Sequence, residues 1–137
     1  SFVNARRVHA EAVDEAASIL EQVGLLDQAH AVTRHMAYGH QRLLEIALAL
    51  ACRPKVLLLD EPAAGVPAAE SRRLFNALDE LPETLAILLI EHDMKLVFRF
   101  AKRISVLAEG ALLAEGTPEE IANDPRVRAT YLGSGHV

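Results

Sequence analysis

Two adjacent acidic residues, Asp60 and Glu61, follow a short apolar run and form the most informative pattern in the sequence. The run Val56 to Leu59 is typical of a buried strand in a parallel sheet, and such sheets bind ligands at the carboxyl ends of their strands. One carboxylate could hold a hydrated Mg²⁺ while the other orients and deprotonates a water, as phosphoryl transfer requires. The alternative is that either acid only caps the next helix, with Pro62 in its first turn.

A histidine, His92, follows the second apolar run, Leu85 to Ile90. Because the carboxyl ends of parallel strands meet at one edge of a sheet, we expect His92 at the same edge as Asp60 and Glu61. An imidazole there can hydrogen-bond a terminal phosphate and respond to its presence. The alternative is a surface histidine at the start of a helix.

A third pattern is the segment 36–41, Met-Ala-Tyr-Gly-His-Gln, with Gly39 at the mouth of an apolar helix. Free backbone N–H groups and the helix dipole favour an anion at such a position. Three histidines lie in or beside the preceding loop, but their five-residue spacing fits neither one helical face nor a known pair of metal ligands. We therefore interpret His30, His35 and His40 as parts of a solvated loop.

The spacing of apolar residues predicts an α/β fold with a parallel sheet, because helices and strands alternate along the chain. An amphipathic helix over 8–26, ended by Gly24, precedes a loop over 27–39 and a helix buried on nearly all sides, which Pro54 ends. The apolar strand over 56–59 should be covered on both faces, and 85–90 is the second apolar strand. The other predicted elements are a helix over 68–81, a helix from Asp93 to about Phe100, a hairpin of 104–107 with 111–114, a capping box at 117–120 and a last helix from Asp124 to near Gly133.

The composition excludes several classes of function. The 137 residues carry a formal net charge of −5 and are 51% apolar, an ordinary globular balance that suits one domain with a sizeable core. Net acidity without long basic runs argues against a nucleic-acid partner, and the longest apolar runs are too short for direct membrane insertion. A single cysteine, Cys52, rules out an internal disulfide and indicates a reducing, cytoplasmic environment.

Taken in this order, the three patterns resemble the nucleotide-binding domain of ABC transporters over nearly the whole chain. The resemblance implies that Asp60 ends the Walker B strand and holds Mg²⁺ through water, that Glu61 is the catalytic glutamate, and that His92 is the switch histidine. The implied signature motif, which contacts a nucleotide held by the opposite subunit, consists of Ala37, Tyr38, Gly39, His40 and Gln41. The implied D-loop consists of Gly65, Val66 and Pro67.

Three runs, 60–65, 90–94 and 123–133, resemble the ATPases of branched-chain amino-acid importers more specifically. This resemblance implies an ATP- and Mg²⁺-dependent importer subunit that pairs with a second ATPase subunit and with transmembrane permease subunits. The subunit would be cytoplasmic and peripheral at the inner face of the cell membrane. Residues 1–52 would be a helical subdomain remnant with the signature motif and the following helix, and residues 53–137 would run from Walker B through the ATPase core to short C-terminal helices.

The sequence departs from the family pattern at three places. It contains no Gly-x-x-x-x-Gly-Lys-Ser/Thr, since none of its lysines follows a glycine, so we expect the C-terminal half of a P-loop NTPase domain, with a partial sheet and no activity of its own. Ala37 replaces the signature serine and removes a hydroxyl donor to phosphate, and Pro67 replaces the usual Asp or Asn of the D-loop. An alternative hypothesis is a non-catalytic, self-associating interaction module, because a half-sheet would expose an edge and apolar faces.

Overall fold

The computed structural model describes residues 2–132 of the protein, and the side chains of residues 9–131. The chain divides into two compact units, the first ending at Ile90 and the second beginning at Glu91. No helix in the described range is long and apolar enough to span a membrane.

The first unit alternates helices and strands as predicted. Its elements are α1 (Phe2–Gln22), α2 (Tyr38–Ala51), β1 (Val56–Asp60), α3 (Ala68–Asp79) and β2 (Ala86–Ile90), with two 3-10 turns at Leu26–Gln28 and Thr33–His35. Helix α1 starts well before residue 8, because helix-favouring Ala and Arg residues extend it beyond the apolar spacing. Gly24 follows it with a φ of +70°, which confirms the predicted end.

Strands β1 and β2 pair in parallel, from Val56 opposite Ala86 to Asp60 opposite Ile90. The parallel pairing confirms the prediction, but the expected cover on both faces is wrong. Leu57 is 5% exposed, whereas Leu58 on the opposite face is 69% exposed. Side chains alternate between the two faces of a strand, and nothing in the described part of the chain covers the second face of β1.

Helices α2 and α3 bury one stripe each. In α3, Ser71, Leu74, Phe75 and Leu78 are buried, at the three- and four-residue spacing of one helical face. In α2 the buried residues include Leu43, Ile46 and Ala47, but Leu48 is 64% exposed. The prediction of a helix buried on nearly all sides is therefore wrong for that side of α2. The helix ends at Ala51, three residues before Pro54, as predicted.

The second unit contains α4 (Met94–Phe100), an antiparallel hairpin of β3 (Ile104–Ala108) and β4 (Ala111–Gly116), α5 (Pro118–Asn123), α6 (Pro125–Val127) and a π-helical turn at Arg128–Leu132. Its core is formed by Ile104, Val106, Ala114, Ile121 and Val127. The predicted hairpin and capping box are confirmed. The predicted last helix is split into α6 and the π-helical turn, and its predicted end at Gly133 lies outside the described residues.

Candidate functional site

The end of β1 presents both acidic residues to solvent. Asp60 is the last residue of the strand, and Glu61 follows with a φ of +43° while its N–H donates to the Ile90 carbonyl at 2.9 Å. A positive φ is unusual for a residue with a side chain, and such residues occur in turns and cluster at functional sites. Helix α3 begins only at Ala68, with Pro67 as its N-cap. The alternative that Asp60 or Glu61 caps the next helix is therefore wrong.

The surroundings of Asp60 fit a hydrated Mg²⁺ rather than a cage of protein ligands. Among the described residues, no group of three or more His, Cys, Asp or Glu side chains could hold a metal ion. Mg²⁺ commonly uses one or two carboxylates and completes its shell with waters and phosphate oxygens. Asp60, exposed at the end of a parallel strand, suits that mode of binding.

His92 belongs to the second unit, two residues beyond the end of β2. Its side chain is exposed, and its backbone N–H donates to the Glu91 carboxylate at 3.3 Å. The next residue, Asp93, caps α4 by accepting the N–H groups of Lys95 and Leu96. The predicted cap is confirmed, while the proximity of His92 to the acidic pair stays a prediction.

The predicted signature residues form the start of α2. Ala37 is the N-cap, and Tyr38 through Gln41 make the first turn, so the helix begins one residue earlier than the predicted end of the loop at Gly39. Ala37 offers no side-chain acceptor to the first N–H groups, which have no partners within the helix. The Gln41 amide donates to the Met36 carbonyl at 2.9 Å and so holds the turn that precedes the helix.

An acceptor for this helix start comes from α3. The N–H of Gly39 donates to Oε2 of Glu70 at 2.8 Å. A Cβ atom at position 39 would lie 2.4 Å from that oxygen and 2.8 Å from the Glu70 Cβ. Only glycine therefore allows the two helices to approach this closely.

Sequence reasoning missed the contribution of Glu70. The detectable signal is a glutamate at the third position of a helix whose N-cap is Pro67, since this proline has no N–H with which to close a capping box.

Tyr38 connects the same helix start to the predicted D-loop. Its hydroxyl accepts a hydrogen bond from Arg42 at 2.6 Å, and the guanidinium lies 5.0 Å from the ring centroid. Glu45 pairs with Arg42 at 2.7 Å and raises the pKa of the guanidinium. A Cβ atom at Gly65, where φ is +72°, would lie 3.6 Å from the Tyr38 ring. The aromatic ring therefore lies beside the backbone of Gly65.

The predicted D-loop residues are tied to the start of α3. The carbonyl of Pro67 accepts the N–H groups of Glu70 and Ser71, each at 2.9 Å. The Ser71 hydroxyl, in a largely buried residue, donates to the Val66 carbonyl at 3.2 Å. The structure thus brings segment 65–67 and segment 37–41 together, through Tyr38 and Glu70.

A separate cleft in the first unit contains none of the predicted site residues. It has a volume of about 930 Å³ and lies between α1 and residues 50, 53–55, 82 and 84–85. Arg53 and Glu15, which both line it, form an ion pair at 2.7 Å. The cleft therefore gives no support to a nucleotide site.

Comparison with known proteins shows which family the chain resembles. The protein-family model for ABC transporters matches residues 2–64. The family model for the branched-chain amino acid ATP-binding cassette transporter matches residues 111–137. The high-affinity branched-chain amino acid transport ATP-binding protein LivG of Salmonella typhimurium is 49% identical over 130 residues, which are 93% of this chain and 51% of that protein. BraF of Pseudomonas aeruginosa, with the same description, is 45% identical over the same shares.

A solved structure leads to the same family. The ADP conformation of MJ1267, an ATP-binding cassette of an ABC transporter, superimposes with a TM-score of 0.79 at 31% identity, and the match covers 90% of this chain and 51% of that one. The chain spans about half the length of the curated relatives it matches. The chain is similar to the ATP-binding proteins of ABC transporters, and among them to the branched-chain amino-acid subfamily, over about half of their length.

Proposed function

We propose that the complete protein is the ATP-binding and ATP-hydrolysing subunit of an ABC importer for branched-chain amino acids. The observation that carries this proposal is the acidic pair at the carboxyl end of β1, where Asp60 ends a parallel strand and Glu61 adopts a positive φ. A strained residue beside a second carboxylate at this edge of a sheet suits a catalytic centre better than a structural turn.

In this proposal the acids divide the work. Asp60 holds Mg²⁺ through water, and Glu61 orients the attacking water and accepts its proton. Bound Mg²⁺ supplies positive charge against the phosphates of ATP. His92 donates a hydrogen bond to the terminal phosphate and reports its presence. The exposure of all three side chains supports these roles, since each group must reach a ligand from solvent.

The signature motif in this proposal is Ala37, Tyr38, Gly39, His40 and Gln41, which binds the nucleotide of a second subunit. The start of α2 supports it, because the helix dipole and the first-turn N–H groups other than that of Gly39, which Glu70 accepts, favour an anion there. Ala37 lacks the hydroxyl of the family's serine, so the backbone groups carry the binding. Gly65, Val66 and Pro67 form the D-loop, and their contacts with Tyr38 and α3 support a joint action.

The wider assembly follows from the family. We propose that residues 1–52 are the helical-subdomain part and that residues 53–137 are the core part. The partners are a second ATPase subunit, of the same or a different sequence, and transmembrane permease subunits that hold the protein at the cytoplasmic face of the membrane. Net charge −5 supports a protein partner rather than a nucleic acid.

A second candidate, the non-catalytic self-associating module, applies to this sequence taken alone. It is favoured by the apolar face of the sheet, where Leu58, Leu88 and Ile90 are 69%, 58% and 57% exposed. Exposed apolar patches of this kind mark surfaces that bind protein. Sedimentation separates the candidates: a sharp monomer at high concentration would count against self-association, and no turnover by the sequence alone is expected in either case.

The substitution Glu61→Gln in the complete protein tests the catalytic assignment. We expect MgATP to bind and remain unhydrolysed, with a fall in kcat of roughly 10² to 10⁴, because the general base is lost while the side-chain volume is kept. Glu109→Gln is a matched control, since Glu109 is also an exposed glutamate with positive φ, +50°, but lies at the β3–β4 turn. Hydrolysis retained by Glu61→Gln would overturn the role of Glu61.

A further inference from the structure

One glutamate is bonded to both segments that the proposed function directs at a second subunit. The Glu70 carboxylate accepts the N–H of Gly39, 31 residues away in sequence, at 2.8 Å. The Glu70 backbone N–H donates to the carbonyl of Pro67 at 2.9 Å. A single residue thus contacts the start of α2 through its side chain and the end of segment 65–67 through its main chain.

The geometry explains why this carboxylate reaches another helix. Glu70 is the third residue of α3, from which a glutamate normally returns to the N–H of its own N-cap. The N-cap here is Pro67, which has no N–H to offer. Meanwhile Ala37, the N-cap of α2, has no side-chain acceptor to offer the N–H groups of its own helix. The free acceptor and the free donor satisfy each other across the interface of the two helices.

The electrostatics favour the same arrangement. A carboxylate near the first turn of a helix is stabilised by the unpaired N–H groups and by the positive end of the helix dipole. The contact is partly buried, so solvent weakens it less than a surface pair. The absence of a side chain at Gly39 fixes the approach, since any Cβ there would overlap Glu70.

We propose that Glu70 is a positioning residue that couples the start of α2 to segment 65–67, so that the two segments face a second subunit as one unit. The catalytic consequence rests on the proposed function above. The coupling itself depends only on the bond between Glu70 and Gly39. The two parts can therefore be tested by separate measurements on the complete protein.

The first measurement is hydrogen exchange of the Gly39 amide, relative to the amide of Leu74 in the middle of α3. Glu70→Ala removes the acceptor and should raise the exchange rate of Gly39 roughly tenfold, as expected for one hydrogen bond to a charged group. Glu70→Gln keeps an acceptor oxygen and should give a smaller rise. An unchanged rate in Glu70→Ala would overturn the coupling, whether or not the protein hydrolyses ATP.

The second measurement separates positioning from general stability. Glu120→Ala is the matched control, because Glu120 occupies the same third position in α5 but closes its own capping box. We expect kcat for ATP to fall several-fold in Glu70→Ala, to recover in part in Glu70→Gln, and to stay unchanged in Glu120→Ala. The affinity of the undimerised subunit for MgADP should not change in any variant.

Equal losses of kcat in Glu70→Ala and Glu120→Ala would overturn the positioning role and assign the effect to stability. Absence of hydrolysis in the unsubstituted complete protein would instead contradict the proposed function, and the Gly39 exchange rate would still decide the coupling.

Discussion

Two glutamates occupy the same position in two different helices and bond to different partners. Glu120, third in α5, accepts the N–H of its own N-cap Thr117 at 2.8 Å. Glu70, third in α3, accepts the N–H of Gly39 in another helix at the same distance. The difference lies at the N-cap, because Thr117 has both an N–H and a hydroxyl whereas Pro67 has neither. One change of N-cap residue converts a local bond into a tertiary one.

A glycine lies against each carboxylate, but with different consequences. A Cβ at Gly116 would lie 2.6 Å from Oε2 of Glu120, and one at Gly39 would lie 2.4 Å from Oε2 of Glu70. The neighbour of Glu120 directly precedes its N-cap, so both belong to one turn. The neighbour of Glu70 lies on another helix, so overlap there would push two helices apart. An added side chain at Gly39 would therefore disturb more of the structure than one at Gly116.

The largest expected effect is that of Gly39→Ala. The added methyl would overlap Glu70 and prevent the close approach of α2 and α3 at this point, so we expect the free energy of unfolding to fall by about 1–3 kcal/mol. Chemical denaturation of the complete protein measures this loss. The double variant Gly39→Ala with Glu70→Gly should recover part of it, because glycine removes both the carboxylate and the Cβ that the added methyl would overlap. If the losses of unfolding free energy in the two single variants simply added in the double variant, positions 39 and 70 would not interact, and the predicted overlap would be wrong.

A smaller effect is expected for Pro67→Thr, which gives α3 an N-cap like that of α5. The new N–H and hydroxyl should draw Glu70 into a capping box of its own helix. Shared between two donors, the carboxylate should protect Gly39 less, and the Gly39 amide should exchange about two- to threefold faster. If the Gly39 amide exchanged more slowly than in the unsubstituted protein, the carboxylate of Glu70 would not be shared between the N–H groups of positions 39 and 67.

The smallest effect concerns a third helix start, at Asp124, the N-cap of α6. Hydrogen bonds from the Arg126 side chain and from the N–H groups of Arg126 and Val127 lower the pKa of Asp124 from 3.8 to about 2. Because the folded pKa is the lower one, this cap stabilises the fold above about pH 4 and is lost as pH falls from 4 to 2. An NMR titration of the Asp124 carboxyl should give that midpoint, and Arg126→Ala should raise it.

The sequence predicted those features whose partners all lie within a short window. The capping box at 117–120, the Asp93 cap and the hairpin were each signalled by neighbouring residues, and all are confirmed. The parallel pairing of β1 with β2 was predicted instead from the alternation of helices and strands along the chain, and it is also confirmed. The acidic pair was located at the end of β1 from neighbouring residues as well. Its catalytic role, and that of His92, stay predictions.

Features that depend on distant residues were missed or wrong. The bond between Glu70 and Gly39 joins residues far apart in sequence, and the spacing of apolar residues does not predict it. The exposure of Leu48 and Leu58 was wrongly predicted because apolar patterns show which residues can be buried, not what is present to bury them. The start of α2 at Tyr38 was also misjudged, since Ala37 is not a residue that signals an N-cap.

The fit between Gly39 and Glu70 also limits how this protein can evolve. A side chain can enter at position 39 without overlap only after position 70 has become glycine, because a Cβ at position 39 would lie 2.8 Å from the Glu70 Cβ as well as 2.4 Å from its carboxylate. Removing the side chain at position 70 first leaves a gap rather than a clash. During evolution, a substitution at position 70 should therefore precede one at position 39. The same two substitutions in the opposite order would pass through a destabilised protein.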